Sequence, residues 1–351
     1  MIAKPVVAAG DPSDAVLRRQ QHTAAYARLK ADVTAAGILR RSYAFYFPLI
    51  LFSFTGYGLS IWAIVAWDGY LQLLAACLGL SFFTVQLAGL MHDGGHRAAF
   101  ASKRANDWLG FAATAAIGMV LASWRERHNR HHSWPNQEGA DPDMEIPFLA
   151  LTRTNYEAKD SAQRSTIRWQ AYYYYPLGAL VGISNRLGSI TYFLSHRSRA
   201  NLVPLAFYVP SIVVLFVAPF VLFPLDKAIF VFLVVHVTTG VSLANCFAPN
   251  HKGMQTYPRD AEVSFLEQQI VTARNVSGGF LTDLLLVGLN HQIEHHLFPT
   301  CPRNKLGLLG PYVRQVCQEQ GLSYCDVSFL STNRTLVQHL HGVSRATPQG
   351  S

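Results

Sequence analysis

Residues 43–96 read YAFYFPLILFSFTGYGLSIWAIVAWDGYLQLLAACLGLSFFTVQLAGLMHDGGH. Tyr43 to Trp67 is an unbroken apolar run, longer than the about 20 residues a helix needs to cross a bilayer core. Asp68 and Gly69 interrupt it, and a second apolar run, Leu71 to Met91, follows at once. The stretch therefore predicts a tight helical hairpin in lipid. It ends on His92 and His96, two imidazoles four residues apart.

The rest of the composition points to the same solvent. Half of the 351 residues are hydrophobic and only 14% are charged, with a mean hydropathy of +0.16. A soluble domain would carry about 25% charged residues. Apolar blocks alternate with polar ones, so one composite membrane domain is expected over residues 43–325, after a polar segment 1–42 and before a tail 326–351. The net charge is +8, but the basic residues flank apolar runs instead of forming a stripe among stacking aromatics, which argues against nucleic acid. The five cysteines are odd in number and form no CxxC pair, so no disulfide framework is implied. The N-terminus has no apolar core of a signal peptide, so none is expected, and the first dozen residues are expected to be disordered.

Two further runs, 202–223 and 228–248, predict a second hairpin around Pro224, Leu225, Asp226 and Lys227. The stretch 108–123 is about 16 residues long, marginal for spanning, and 279–289 is short and broken by Asp283, which suggests an interfacial segment. If only the four long runs (43–67, 71–91, 202–223 and 228–248) cross, every long polar segment lies on one side and Lys227 is the only basic residue at the hairpin tips. The positive-inside rule makes the basic side cytoplasmic. Residues 108–123 then form a re-entrant or surface-lying helix, because a crossing there would split the histidines between two compartments. The expected fold is all-α and integral to the membrane: four transmembrane helices in two hairpins plus interfacial helices, capped by a cytosolic His-rich di-metal domain. Tyr172 to Tyr175 reads as an interfacial aromatic anchor, and the glycosylation sequons at Asn275 and Asn333 would go unused on a cytosolic face.

Most of the fourteen histidines fall in three boxes on that face: HDGGH (His92, His96), HNRHH (His128, His131, His132) and HQIEHH (His291, His295, His296). Residues three or four apart share one side of a helix, so each box can present two or three imidazoles together. Neutral imidazole suits zinc, copper, iron or nickel. A lone HxxxH is usually an ordinary helix face, but three boxes after apolar segments on one side predict metal binding. In the third box, Gln292 occupies the angular place relative to His295 and His296 that His128 holds in the second. His291 is one residue out of that register and is left as a substitute ligand or a supporting group.

His251, just after the last long run, is a further candidate ligand. His236, inside that run, is either functional or a hydrogen-bonded structural group. His22, His196, His339 and His341 lack partners at ligand spacing and are expected to face solvent. Asp93, Glu126, Asn129, Asp141, Asp143, Asn250, Asp283 and Glu294 lie near the boxes, where some should accept the second ring N–H of ligating histidines.

At these boxes the chain resembles the membrane fatty acid desaturases, which carry HxxxH, HxxHH and (H or Q)xxHH. The longer strings HDGGHRAAF (92–100), HNRHHSWPNQEGADPD (128–143), FAPNHKGM (247–254), ARNVSGG and GLNHQIEHHLFP (288–299) resemble the acyl-lipid or front-end branch, actinobacterial type, over roughly residues 40–325. His291 stands where that pattern has an aromatic. The resemblance implies a cap bearing two Fe ions held by His92, His96, His128, His131, His132, His251, His295 and His296, with dioxygen as co-substrate and no catalytic residue beyond the ligands. It implies a fatty acyl lipid or acyl-CoA as substrate. No His-Pro-Gly-Gly haem string is present, so electrons are expected from a separate ferredoxin or reductase, in a bacterial plasma membrane with the site on the cytoplasmic face.

Arg97, Arg125, Arg127, Arg130 and Lys252 beside the boxes could hold an anionic head group or simply face a charged membrane surface. Three other readings compete. An acyl hydroxylase would use the same centre, a membrane zinc hydrolase needs only about three protein ligands, and a transporter would pair its polar residues inside the bundle.

Overall fold

The computed structural model describes residues 12–345; the expected disorder of the first dozen residues falls almost wholly outside that range. The described chain is mostly helical and resolves into two compact units, each assembled from separate stretches.

One unit comprises Arg41–Glu126 and Tyr175–Cys246. Four helices are long and apolar enough to cross a membrane: Tyr43–Ala66, Tyr70–Gly95, Arg199–Leu222 and Leu225–His251, the last of which runs on into the other unit. Their large exposed side chains include Phe47, Leu51, Leu71, Val221 and Leu225. Such a surface would be costly in water and suits lipid. The tips of the two hairpins meet, through Lys227 with Asp68 at 3.1 Å and Tyr70 with Asp226. The Tyr70–Gly95 helix outlasts its apolar run and carries the HDGGH string to its end.

The glycines of that string have a steric reason. A Cβ on Gly94 would sit 2.7 Å from the Asn106 carbonyl and 2.8 Å from the Gly110 nitrogen, so the helix packs backbone to backbone on Lys103–Ile117. A Cβ on Gly95 would collide with the Trp124 indole. The stretch 108–123 is a broken element. Helix Lys103–Ile117 stops at Gly118, whose φ of +69° favours glycine, and the chain returns as Leu121–Ser133 at a bend of 110°. Arg186 steadies the break by donating to the carbonyl of Ile117 at 3.1 Å.

The other unit comprises the stretches before Arg41, Arg127–Tyr174 and Phe247 onward. Its core packs Ala25, Leu29 and Val33 of helix Pro12–Ala35 with Leu266, Ile270, Ile293, Leu297, Leu309 and Val313. A two-stranded parallel sheet joins Asn275–Ser277 to Asp326–Ser328, with Ser277 opposite Ser328. Residues 326–345, read from sequence as a tail, hold this second strand and helix Phe329–Val343, whose Leu336 and Leu340 are fully buried.

Three surface expectations, for His22, His339 and His341, need correction. His22 is buried, its Nδ1 2.7 Å from Ser264 Oγ, and His339 is half-buried and bonds the carbonyl of Leu151 through Nε2. His196 is exposed as expected, and His341 is half-buried beside Tyr172. Within the tyrosine run, Tyr172 is exposed, Tyr173 and Tyr175 are half-buried and Tyr174 is buried, and Tyr173 donates to the Phe148 carbonyl.

Candidate metal centre

Three helix ends bring six imidazoles together in the second unit. Helix Leu121–Ser133 supplies His128, His131 and His132; the last turn of Leu225–His251 supplies His251; and Gln292–Leu297 supplies His295 and His296. They sort into two sets. His131, His251 and His296 form one, and His128, His132 and His295 contribute to the other; in each set the potential ligand nitrogens lie within 4.8 Å of one another. His132 and His131 are adjacent residues, about 100° apart on their helix, which is how one helix serves both sets.

The first set is oriented by its outer ring nitrogens. His131 Nδ1 lies 3.0 Å from Asp141 Oδ2, His251 Nδ1 3.0 Å from the Thr272 carbonyl and His296 Nδ1 2.8 Å from Gln269 Oε1. Each acceptor fixes the proton on Nδ1, which leaves the lone pair on Nε2, the form in which imidazole binds a metal. Asp141 is itself fixed by accepting from the backbone of Asn136 and Asp143. Burial alone would push the His131 pKa down, but the Asp141 and Asp143 carboxylates outweigh it and raise it. The site thus favours positive charge. In the same way, burial would raise the Asp143 carboxyl, yet His131, Arg127 and Lys252 hold it down at about 2.

In the other set His132 Nε2 lies 3.1 Å from both His128 Nε2 and His295 Nε2. One nitrogen cannot share a proton well with two others at once, whereas three lone pairs around a cation is a stable arrangement. Both donor sets fit a transition metal.

Gln292 is buried, accepts from Asn250 at 3.1 Å and places Nε2 3.0 Å from His251 Nε2. His291 precedes the helix as its cap and turns instead to Asp283, at 3.3 Å, outside both sets. Glu294 accepts from Asn275 and Tyr324, and Asn250 also donates to the Leu289 carbonyl.

The first unit holds the remaining box. His92 and His96 lie together, ring centroids 4.7 Å apart, with Trp124 against both. Asp93 Oδ1 is 3.6 Å from His92 Nδ1. His236 is buried between Phe216 and Phe232 and contacts the Leu215 carbonyl, away from any candidate ligand group.

Most of the basic candidates have protein partners. Arg125 bonds Asp107 and the carbonyls of Gly94 and Gly95, Arg127 bonds Asp143, Arg130 the Ala140 carbonyl and Lys252 the Asp143 carbonyl. Burial lowers the Lys252 pKa, with Asp143 and Asp141 opposing. Arg97 is exposed, in a left-handed conformation with φ of +59°. Glu126 lies 3.9 Å from His196, and the backbone carbonyl of Asn129 accepts from Ser133; neither contact involves a candidate ligand histidine.

Three groups at the centre were not singled out from sequence: Gln269, the Thr272 carbonyl and Asn136. Gln269 and Thr272 sit three residues apart on and just after helix Phe265–Val271, so one short element supports both His296 and His251. Asn136, at φ +55°, donates to the carbonyls of His251, Gln255 and Thr272.

Comparison with known proteins adds family information. The model of the family described as "Fatty acid desaturase" matches residues 67–328. The chain is 29% identical over 303 residues to the "Acyl-lipid (9-3)-desaturase" of Physcomitrium patens, covering 82% of this chain and 56% of that protein. It is 27% identical over 316 residues to the "Delta(8)-fatty-acid desaturase" of Euglena gracilis, covering 85% and 74%. It is 29% identical over 324 residues to a Delta(5) fatty acid desaturase of Caenorhabditis elegans, covering 88% and 71%. The chain thus spans between about half and three quarters of these relatives' own lengths.

Proposed function

Because this chain belongs to the fatty acid desaturase family, we propose that it is a di-iron, oxygen-dependent desaturase that introduces a cis double bond into the acyl chain of a lipid or thioester. The observation that carries the reading is the grouping of six imidazoles from three separate helices into two ligand-competent sets. A pair of irons, when bound, supplies the oxygen activation and hydrogen abstraction that no side chain can perform on an unactivated C–H bond.

His131, His251 and His296 would hold one ion, with Gln292 beside them. His128, His132 and His295 would hold the other, and His92 and His96 are assigned as further metal ligands. The surrounding residues orient and tune. Asp141, Thr272 and Gln269 keep the ring protons on the outer nitrogens, and Asp141 with Asp143 adds negative charge behind His131. Asn250 fixes the amide of Gln292. His291, tied to Asp283, is assigned a supporting role at the start of its helix. Of the basic residues, Arg97 is assigned to the anionic head group, since the other four already serve protein carbonyls or carboxylates.

We place the centre on the cytoplasmic side, where the basic segments lie, and assign electron delivery to a separate ferredoxin or reductase. The names of the relatives support an acyl lipid as substrate. The test is mass spectrometry of lipids from a host expressing the chain. The expected product has lost two hydrogens; a gain of one oxygen would make the enzyme a hydroxylase. Iron in the purified protein is expected, and full oxygen-independent activity with zinc would replace the proposal with hydrolysis.

A further inference from the structure

The parallel pairing of Asn275–Ser277 with Asp326–Ser328 sends two chain segments out of the same end of the sheet. Each begins a helix within three residues, and each helix starts with large apolar side chains. Phe280 and Leu281 are 76% and 68% exposed, and Phe329 and Leu330 are 40% and 80% exposed. Unsheltered groups of this kind mark an interaction surface.

The base of this region is tied to the end of the fourth candidate span. Asn250, the penultimate residue of Leu225–His251, donates to the Leu289 carbonyl at 2.9 Å and accepts from the Arg274 backbone at 2.9 Å. The Val276 N–H then closes onto the Asn290 carbonyl at 2.9 Å. The loop 277–289 is therefore suspended from the point where a membrane helix ends. Its one acid, Asp283, is drawn back to Asn290 and His291. Arg334 is exposed one turn beyond Leu330, on the same helix side, where a cation can meet lipid phosphate.

We infer that Phe280, Leu281, Phe329 and Leu330 form a membrane foot that inserts into the headgroup–acyl boundary of the bilayer. Continuity with the fourth span selects lipid as the occupant, and the inference depends on that helix crossing the bilayer, independently of the reaction catalysed. Phe280 and Leu281 lie on the segment that leads into the third histidine box, so the lipid surface itself would help seat Gln292–Leu297.

Spin labels at Leu281→Cys and Leu330→Cys test this in the full chain, with Cys325→Ser and the buried cysteines retained, reconstituted in phosphatidylcholine–phosphatidylglycerol vesicles. A label at the exposed Asp260→Cys is the aqueous reference. Relaxation by oxygen should exceed relaxation by a water-soluble nickel chelate at 281 and 330, with the order reversed at 260. Nickel access at 281 and 330 equal to that at 260 overturns the inference. So does exclusion of both reagents, which would mean that protein covers the patch. Phe329→Cys repeats the measurement should either variant fail to fold.

Discussion

Gln269→Leu isolates the support behind one candidate ligand, His296. Gln269 is fully buried, and its Oε1 accepts the His296 Nδ1 proton at 2.8 Å. Leucine keeps the approximate volume but cannot accept, and at zero exposure no water replaces the bond. Leaving a buried donor unmet costs about 1–3 kcal/mol. Loss of such a partner typically lowers metal affinity about 10- to 100-fold, which at about 1.4 kcal/mol per tenfold spans much the same range. Gln269→Glu keeps the acceptor and adds charge facing the metal, so its affinity should equal or exceed that of the unmodified protein. The assay is competition for Co(II) between a chromophoric chelator and the solubilised full chain. Two binding steps are expected, with only one weakened by Gln269→Leu. Equal affinity in the leucine and glutamine proteins, at unchanged thermal stability, would refute the assignment of Gln269 to His296 and of His296 to a metal.

Further predictions concern activity, packing and pH. His96→Ala, His131→Ala and His295→Ala should each abolish the desaturated product while the protein still inserts in the membrane; product retained in all three, by lipid mass spectrometry, would end the di-metal reading. Gly94→Ala forces a methyl against the backbone of the neighbouring helix and should cost about 1–3 kcal/mol, whereas Gly58→Ala, which meets nothing within 4 Å, should stay within about 0.5 kcal/mol; both are read from unfolding in SDS. Burial lowers the pKa of His22, with Glu267 opposing and Arg18 assisting. The fold thus prefers the neutral ring, and its stability should be intact above about pH 6.5, the unfolded value, and decline as pH falls below it. His22→Gln should flatten the melting temperature between pH 5 and 7, and an unchanged slope would count against this role.

The apolar runs locate the four long helices, since lipid demands about 20 apolar residues and little else in the chain supplies them. They do not locate the helix ends. The second run stops at Met91, but its helix continues to Gly95, because the HDGG turn packs tightly and needs no hydropathy to persist. The boxes were legible because i, i+3 and i, i+4 spacing is a local property. Gln269 and the Thr272 carbonyl were not, since they meet their histidines only through tertiary folding and a backbone carbonyl has no sequence signature. His22 was legible in principle. With Ala25, Leu29 and Val33 it forms a stripe at helical spacing, which marks a buried face whether or not a ligand partner lies nearby.

The set formed by His131, His251 and His296 has a consequence for biosynthesis. Its members leave the ribosome far apart in time, roughly ten to thirty seconds between the first and the last at about 5–20 residues per second. During that interval the second box is displayed without His251 and His296, and a divalent ion captured then would meet fewer imidazoles, in a different geometry, than the completed set offers. On the proposed assignment, correct loading would therefore be a late event, reserved for a polypeptide from which His296 has already emerged.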